Sequence, residues 1–203
     1  MPARRRLTRQ ESQAQTRQRL AGQKPDSATR LVSLHEPDAR PIKKGRLGKP
    51  VEFGYKAQVV DNEDGLVLDY TVEEGNPPDA PQLAPAVKRV KRRFGRAPKA
   101  VAADRVYGET TMDKELTDLG VRTVAIPRKG KPSMARRAEE HRRGFRKLVK
   151  WRTGCEGRIS HLKNRYGWGR SLVDGRERTT AWCGYGVLAH NLVKATNLAA
   201  QKG

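Results

Sequence analysis

The chain has 203 residues, 35% of them hydrophobic, and carries 43 Lys and Arg against 22 Asp and Glu, for a net charge of +21. That length suffices for one domain with a real core and falls short of two full ones. No apolar window reaches the roughly 18 residues that a membrane span needs, and the excess positive charge points to a polyanionic partner, of which nucleic acid is the commonest for a soluble chain.

Charge is uneven along the chain: residues 1–50 are net +9, residues 51–87 net −7 and residues 88–203 net +19. Residues 1–28, rich in Arg and Gln with few apolar positions, read as a basic flexible arm or a poorly packed helix ahead of one domain over 29–203. The short apolar run Arg30–Leu34 reads as a first strand. Residues 51–59 alternate with period two, Asn62-Glu63-Asp64-Gly65 supplies a turn, and 66–72 returns as the second arm of a hairpin. Pro81 opens a helix to about Phe94, with Leu83, Val87 and Val90 at helical spacing and Asp79 placed to cap it.

A strand then ends at Asp104, a helix runs from Thr110 to Leu119, and a strand covers 121–126, which together imply a parallel crossover. Residues 127–150 are basic and nearly devoid of large apolar residues, the pattern of a loop or insertion facing a ligand. One helix is predicted from about Trp151 to Tyr166 and a last one from Thr180 to Ala199, presenting Tyr185, Leu188, Leu192 and Thr196. Cys155 and Cys183 form no CxxC and no zinc-type cluster, so both read as core thiols of a reducing compartment.

Two acids stand out against the positive charge. Asp104 closes the apolar run Ala100-Val101-Ala102-Ala103, and Glu156 lies in the predicted helix that follows Trp151. A carboxylate at the end of a buried strand and another on a neighbouring helix suit a hard divalent cation, which takes carboxylate oxygens and completes its shell with water and phosphate. Arg152, Glu156, Ser160 and Lys163 recur at i, i+4, i+8 and i+11, so a continuous helix would place them on one face, where Arg152 and Lys163 could grip phosphates beside the metal. Simple Arg152–Glu156 helix pairing is the plainer account of the same spacing. His161 and His190 read as packing or hydrogen-bonding histidines. Trp168 reads as a base-stacking ring or as a clamp on the protein's own surface.

The stretches Pro50–Lys56, Gly75–Asp79, Ala103–Tyr107, Ala125–Gly130, Trp151–Ser160 and Leu188–Leu192, in this order, resemble the catalytic domain of DDE-type bacterial insertion-sequence transposases. The resemblance runs from about Thr29 to the C-terminus. It implies an α/β, ribonuclease-H-like mixed five-stranded sheet flanked by helices, with the basic N-terminal arm outside it. It also implies three metal-binding acids: Asp104 as the second aspartate, Glu156 as the terminal glutamate, and a first acid near Leu34–Arg40. Asp38 is the favoured residue there and Glu36 the alternative, while Asp61 and Asp79 read as a turn residue and a helix cap. Val106 stands where that family shows glycine, which would distort the site if the backbone there needs positive φ.

The implied chemistry is Mg²⁺-dependent, with Mn²⁺ as substitute, on DNA element ends and target, in a cytoplasmic, nucleoid-associated assembly of several copies on DNA. Phosphate contacts are expected from Lys43, Lys44, Arg46, Arg105, Arg128, Lys129, Arg152, Arg158, Lys163 and Arg165, with the runs Arg136-Arg137 and Arg142-Arg143 in the same role. Only about 28 mostly polar residues precede the first predicted strand, so the resemblance further implies an N-terminally shortened copy. A non-catalytic basic nucleic-acid-binding protein and a metal-dependent nuclease of the same fold are the two alternatives.

Overall fold

The computed structural model describes residues 2–26, 30–46 and 49–201; side chains are described from residue 9 onward, apart from 43–50. Its helices are α1 (Pro2–Leu20), α2 (Leu83–Phe94), α3 (Thr110–Asp118), α4 (Met134–Glu140), α5 (Arg143–Thr153), α6 (Cys155–Arg165) and α7 (Arg176–Ala200). The strands are β1 (Arg40–Arg46), β2 (Lys49–Asp61), β3 (Val67–Glu74), β4 (Ala100–Ala102) and β5 (Thr123–Ala125). Two compact units emerge, one comprising residues 1–58, 71–77 and 167–186, the other 59–70, 78–166 and 187–203.

The result is a mixed α/β fold with its five strands in two sheets, one ordered β1-β2-β3 and the other β4-β5. In the first unit, β1 runs antiparallel to β2, with Arg40 opposite Gly54 and Lys43 opposite Val51, and the register shifts between Lys43 and Arg46. The predicted strand Arg30–Leu34 is not formed. Ser33 Oγ accepts the backbone N–H groups of His35 at 3.2 Å and Glu36 at 3.0 Å, and this local turn takes the backbone bonds a strand would need. Much of the basic arm is helical as α1, and among the described side chains of α1 only Ser12 and Gln15 are even half-buried. Glu36 anchors the segment that follows: its carboxylate accepts from Tyr55 Oη at 3.0 Å, Asp38 N at 3.3 Å and Gly175 N at 2.6 Å. Trp168 is a clamp on the chain itself, donating to the Cys183 carbonyl at 3.0 Å.

The hairpin turn between β2 and β3 forms as its residues dictate. Asn62 Oδ1 accepts Leu66 N at 2.9 Å, and Gly65 adopts φ +80°, which its missing Cβ permits. In the second unit, β4 and β5 pair in parallel from Ala100–Thr123 to Ala102–Ala125, with α3 as the crossover. The core packs Leu83, Ala84 and Val87 of α2 against Met112 and Leu116 of α3, and both against Val121 and Ile126. Leu116 and Ile126 are fully buried, and burying a side chain of that size contributes about 1.5–3 kcal/mol. Asp79 precedes α2 but makes no side-chain cap bond; a short 3-10 turn, Ala80–Gln82, leads into the helix, which Gly95 closes at φ +68°.

Three expectations about the C-terminal half are corrected. Residues 127–150 hold α4 and most of α5 rather than a loop: Ser133 caps α4 by accepting Arg136 N at 3.2 Å, and charge pairing replaces apolar periodicity. Arg136 binds Glu140 at 3.1 Å, Glu139 at 3.0 Å and the Ile126 carbonyl at 2.7 Å, and it lies over the Phe145 ring, so it serves the fold rather than facing outward. The predicted helix 151–166 is two helices, because Gly154, a weak helix former, breaks it between Thr153 and Cys155. Finally, the last helix starts at Arg176 rather than Thr180, and α7 buries Thr179, Cys183, Val187 and His190 while Tyr185, Leu188 and Leu192 are exposed.

Candidate active site

Asp104 lies two residues beyond the end of β4 at Ala102. Its Oδ1 accepts Arg105 N at 2.6 Å, capping a 3-10 turn over Arg105–Tyr107, and its Oδ2 lies 3.1 Å from Arg152 Nη2. The carboxylate is about half exposed, at 48%. Val106 sits in this turn with an ordinary negative φ, since no described residue other than glycine has positive φ, so the departure from glycine there strains nothing. The turn is pinned at Gly108, whose carbonyl accepts Lys129 N at 2.9 Å and whose missing Cβ leaves room for the Pro127 carbonyl.

Glu156 lies in the first turn of α6, exposed, with no hydrogen-bond or ion-pair partner among the described residues. The helix around it makes a second acid prominent. Asp61, the last residue of β2, has a side chain only 8% exposed; it is ion-paired through Oδ2 to Arg158 Nε and receives the Cys155 thiol at 3.5 Å on Oδ1. Burial raises the Cys155 pKa, opposed by the Arg152 charge, which keeps the sulfur protonated and able to donate. Burial likewise pushes Cys183 up to about 11, so neither thiol is poised as a nucleophile.

Residues flanking Glu156 therefore hold both aspartates: Arg152, four before it, holds Asp104, while Cys155, one before, and Arg158, two after, hold Asp61. By sequence alone Asp61 reads as a turn residue. The signal that exposes it is the one that singled out Asp104, an acid at the carboxyl end of a strand. Asp38 and Glu36 belong to the first unit, whereas Asp61, Asp104 and Glu156 belong to the second. No three His, Cys, Asp or Glu side chains among the described residues are grouped closely enough to enclose an ion. The three acids do fit a hard divalent cation in donor chemistry, since they offer carboxylate oxygens alone.

The turn after Asp61 is braced by α7. His190 Nε2 lies 2.9 Å from the Gly65 carbonyl, and the Asn191 amide brackets Val67, accepting its N–H and donating to its carbonyl at 2.9 Å each. The rings of His161, Tyr166 and His190 meet edge to face at 5.3–5.8 Å, which assigns both histidines to packing. They line an open cavity of about 490 Å³ together with Gly65, Arg158 and Lys194.

The cations expected to meet DNA differ in exposure. Arg105, Lys129, Lys163 and Arg165 are exposed. Arg128 and Arg158 turn inward: Arg128 pairs with Asp113 at 2.6 Å and is 16% exposed, and burial lowers the Arg158 pKa. Arg152 is 23% exposed and engaged with Asp104. The side chains of Lys43, Lys44 and Arg46, on β1, lie outside the described ones. Among the described residues no helix is long and apolar enough to cross a membrane.

A family model described as a transposase DDE domain matches residues 16–192. No curated protein and no solved structure matches the chain.

Proposed function

Because the chain belongs to the transposase DDE family, we propose that its second unit carries a metal-dependent DNA strand-transfer centre built on Asp61, Asp104 and Glu156. The observation that carries this reading is that Arg152, Cys155 and Arg158, on either side of Glu156 in the chain, contact both strand-end aspartates. In it Asp61 takes the role that the sequence had suggested for Asp38. The strand order, with an antiparallel β1-β2 pair ahead of a parallel pair joined through α3, supports a ribonuclease-H-like core.

The acids would hold Mg²⁺ or Mn²⁺, which when bound activates a water or hydroxyl nucleophile and stabilises the leaving oxygen. Water attack on a phosphodiester forms one P–O bond as the bond to the 3′ oxygen breaks, and that oxygen takes up a proton, leaving a 3′-hydroxyl and a 5′-phosphate. That 3′-hydroxyl then attacks a target phosphodiester, forming one P–O bond as another breaks. Asp104, set by its cap on Arg105 N, and Asp61, sequestered from water, keep fixed carboxylate directions through both steps. Exposed Arg105, Lys129, Lys163 and Arg165 supply phosphate contacts on the DNA. Several copies assemble on element ends and target, at the bacterial nucleoid.

Metal response tests the reading without requiring turnover. Mn²⁺ should raise the melting temperature of the unmodified protein by an amount that grows with metal concentration over the dissociation constant. Asp104→Asn and Glu156→Gln should each reduce that shift. An equal shift in the unmodified protein and both variants removes these residues from the metal site.

Binding to duplex DNA should weaken steeply with salt, log K falling by about 0.9 per neutralised phosphate for each tenfold rise in salt. Fluorescence anisotropy across a salt series measures the slope, and a flat series would refute a phosphate-driven interface.

A further inference from the structure

We propose that Arg158 is a positioning residue for Asp61 rather than a contact to DNA phosphate, an assignment that rests on the metal-centre reading above. Its guanidinium is fixed on several sides. Nε faces Asp61 Oδ2, Nη2 donates to Cys155 Sγ at 2.9 Å, and the Cζ atom lies 5.2 Å from the centroid of the Trp151 ring. The group also packs where Gly154 leaves room, since a Cβ there would stand 3.1 Å from Nη1. Its stem passes the hairpin turn, where a Cβ on Gly65 would come within 3.7 Å of Arg158 Cδ.

A side chain held by a carboxylate, a sulfur, an aromatic face and the close approach to Gly154 has little freedom to follow a mobile DNA strand. It has every means to hold one carboxylate in one direction. Such outer-shell partners of metal-ligating groups typically contribute 10–100-fold in metal affinity. Trp151, Gly154, Cys155 and Arg158 thereby form a cradle at the α5–α6 junction, and the missing Cβ of Gly154 supplies room beside the guanidinium.

The test compares the unmodified full chain with Arg158→Met and Arg158→Lys, measuring Mn²⁺ binding by calorimetry and the salt dependence of duplex binding by anisotropy. Arg158→Met should weaken Mn²⁺ binding about tenfold or more, Arg158→Lys should recover part of the loss, and the slope of log K against log salt should stay unchanged. Unchanged Mn²⁺ affinity together with a slope shallower by about 0.9 would make Arg158 a phosphate contact and overturn the assignment. Should Arg158→Met fail to fold, Arg158→Lys carries the test by itself, because it keeps the charge and loses the planar fork that meets both Asp61 and Cys155, and the same two readouts apply. Failure of the unmodified protein to bind Mn²⁺ overturns the metal-centre reading and this assignment with it. Normal binding there with unchanged affinity in the variants overturns the assignment alone.

Discussion

Asp104→Asn, Glu156→Gln and Asp61→Asn should each abolish Mg²⁺-dependent nicking of a supercoiled plasmid, a loss of about 10³-fold or more, because charge stabilisation at a reacting phosphate contributes several kcal/mol and each 1.4 kcal/mol is about tenfold. The variants should differ in what else they cost. Asparagine at 104 keeps the oxygen that caps Arg105 N and forfeits only the charge facing Arg152. With the aspartate 48% exposed, that pair is worth less than about 1 kcal/mol. Glu156 is exposed and has no partner among the described residues, so its amide should leave the melting temperature where it was. Asp61 is different: it is 8% exposed, and its loss leaves a mostly buried guanidinium without a counter-charge. The cost should approach, without reaching, the roughly 3–5 kcal/mol of a fully buried broken pair, because Arg158 is 23% exposed. Agarose gels of nicked and linear product, read beside circular dichroism melts, separate the two effects. Wild-type nicking by the Asp104 or Glu156 variant would take that acid out of the chemistry, and the same result for Asp61 would return the first-acid role to the segment around Asp38.

Gly108→Ala should be the most damaging single methyl added near the site. Its Cβ would stand 2.0 Å from the Pro127 carbonyl oxygen, 2.9 Å from Lys129 N and 3.0 Å from the Arg105 carbonyl, all of them backbone atoms that no rotamer change can move aside. Overpacking a tight site typically costs about 1–3 kcal/mol and occasionally more. A clash with three backbone groups belongs at the upper end, corresponding to a fall of roughly 5–10 °C in melting temperature for a chain of this size. Relief requires the Asp104 turn to part from the segment after β5, breaking the bond from Lys129 N to the Gly108 carbonyl, so nicking should fall along with stability. Gly157→Ala provides the control, since its Cβ would meet nothing within 4 Å. Equal melting temperatures for the two variants would mean that the turn is not packed against Pro127 as described.

Local pattern determined a good deal of this protein. The β2–β3 hairpin follows from alternation ending in an Asn-Glu-Asp-Gly turn, α2 from Leu83, Val87 and Val90 at helical spacing, and the β4–α3–β5 crossover from two apolar runs around a helix. The prominence of Asp104 and Glu156 was equally legible, because an acid at the end of an apolar run needs no tertiary information to be noticed. The order of motifs was enough to point to the family. What misled was short-range competition and long-range charge. Arg30–Leu34 has the apolar content of a strand, yet the Ser33 hydroxyl takes the following N–H groups into a turn. Residues 134–140 look like loop because α4 is held by arginine–carboxylate pairs, which leave no apolar period to read. The split at Gly154 shows only in the folded chain, since a lone glycine within a helical pattern is often tolerated. Tertiary structure alone decided that Asp61 is buried against Cys155 and Arg158, residues 94 and 97 positions further along the chain, and that Arg128 and Arg158 turn inward while Arg105 and Lys163 do not. Sequence records how many cations the chain carries, but the direction each one faces is set by which carboxylates folding brings within reach, and burial makes that pairing far more costly to break than any surface pair.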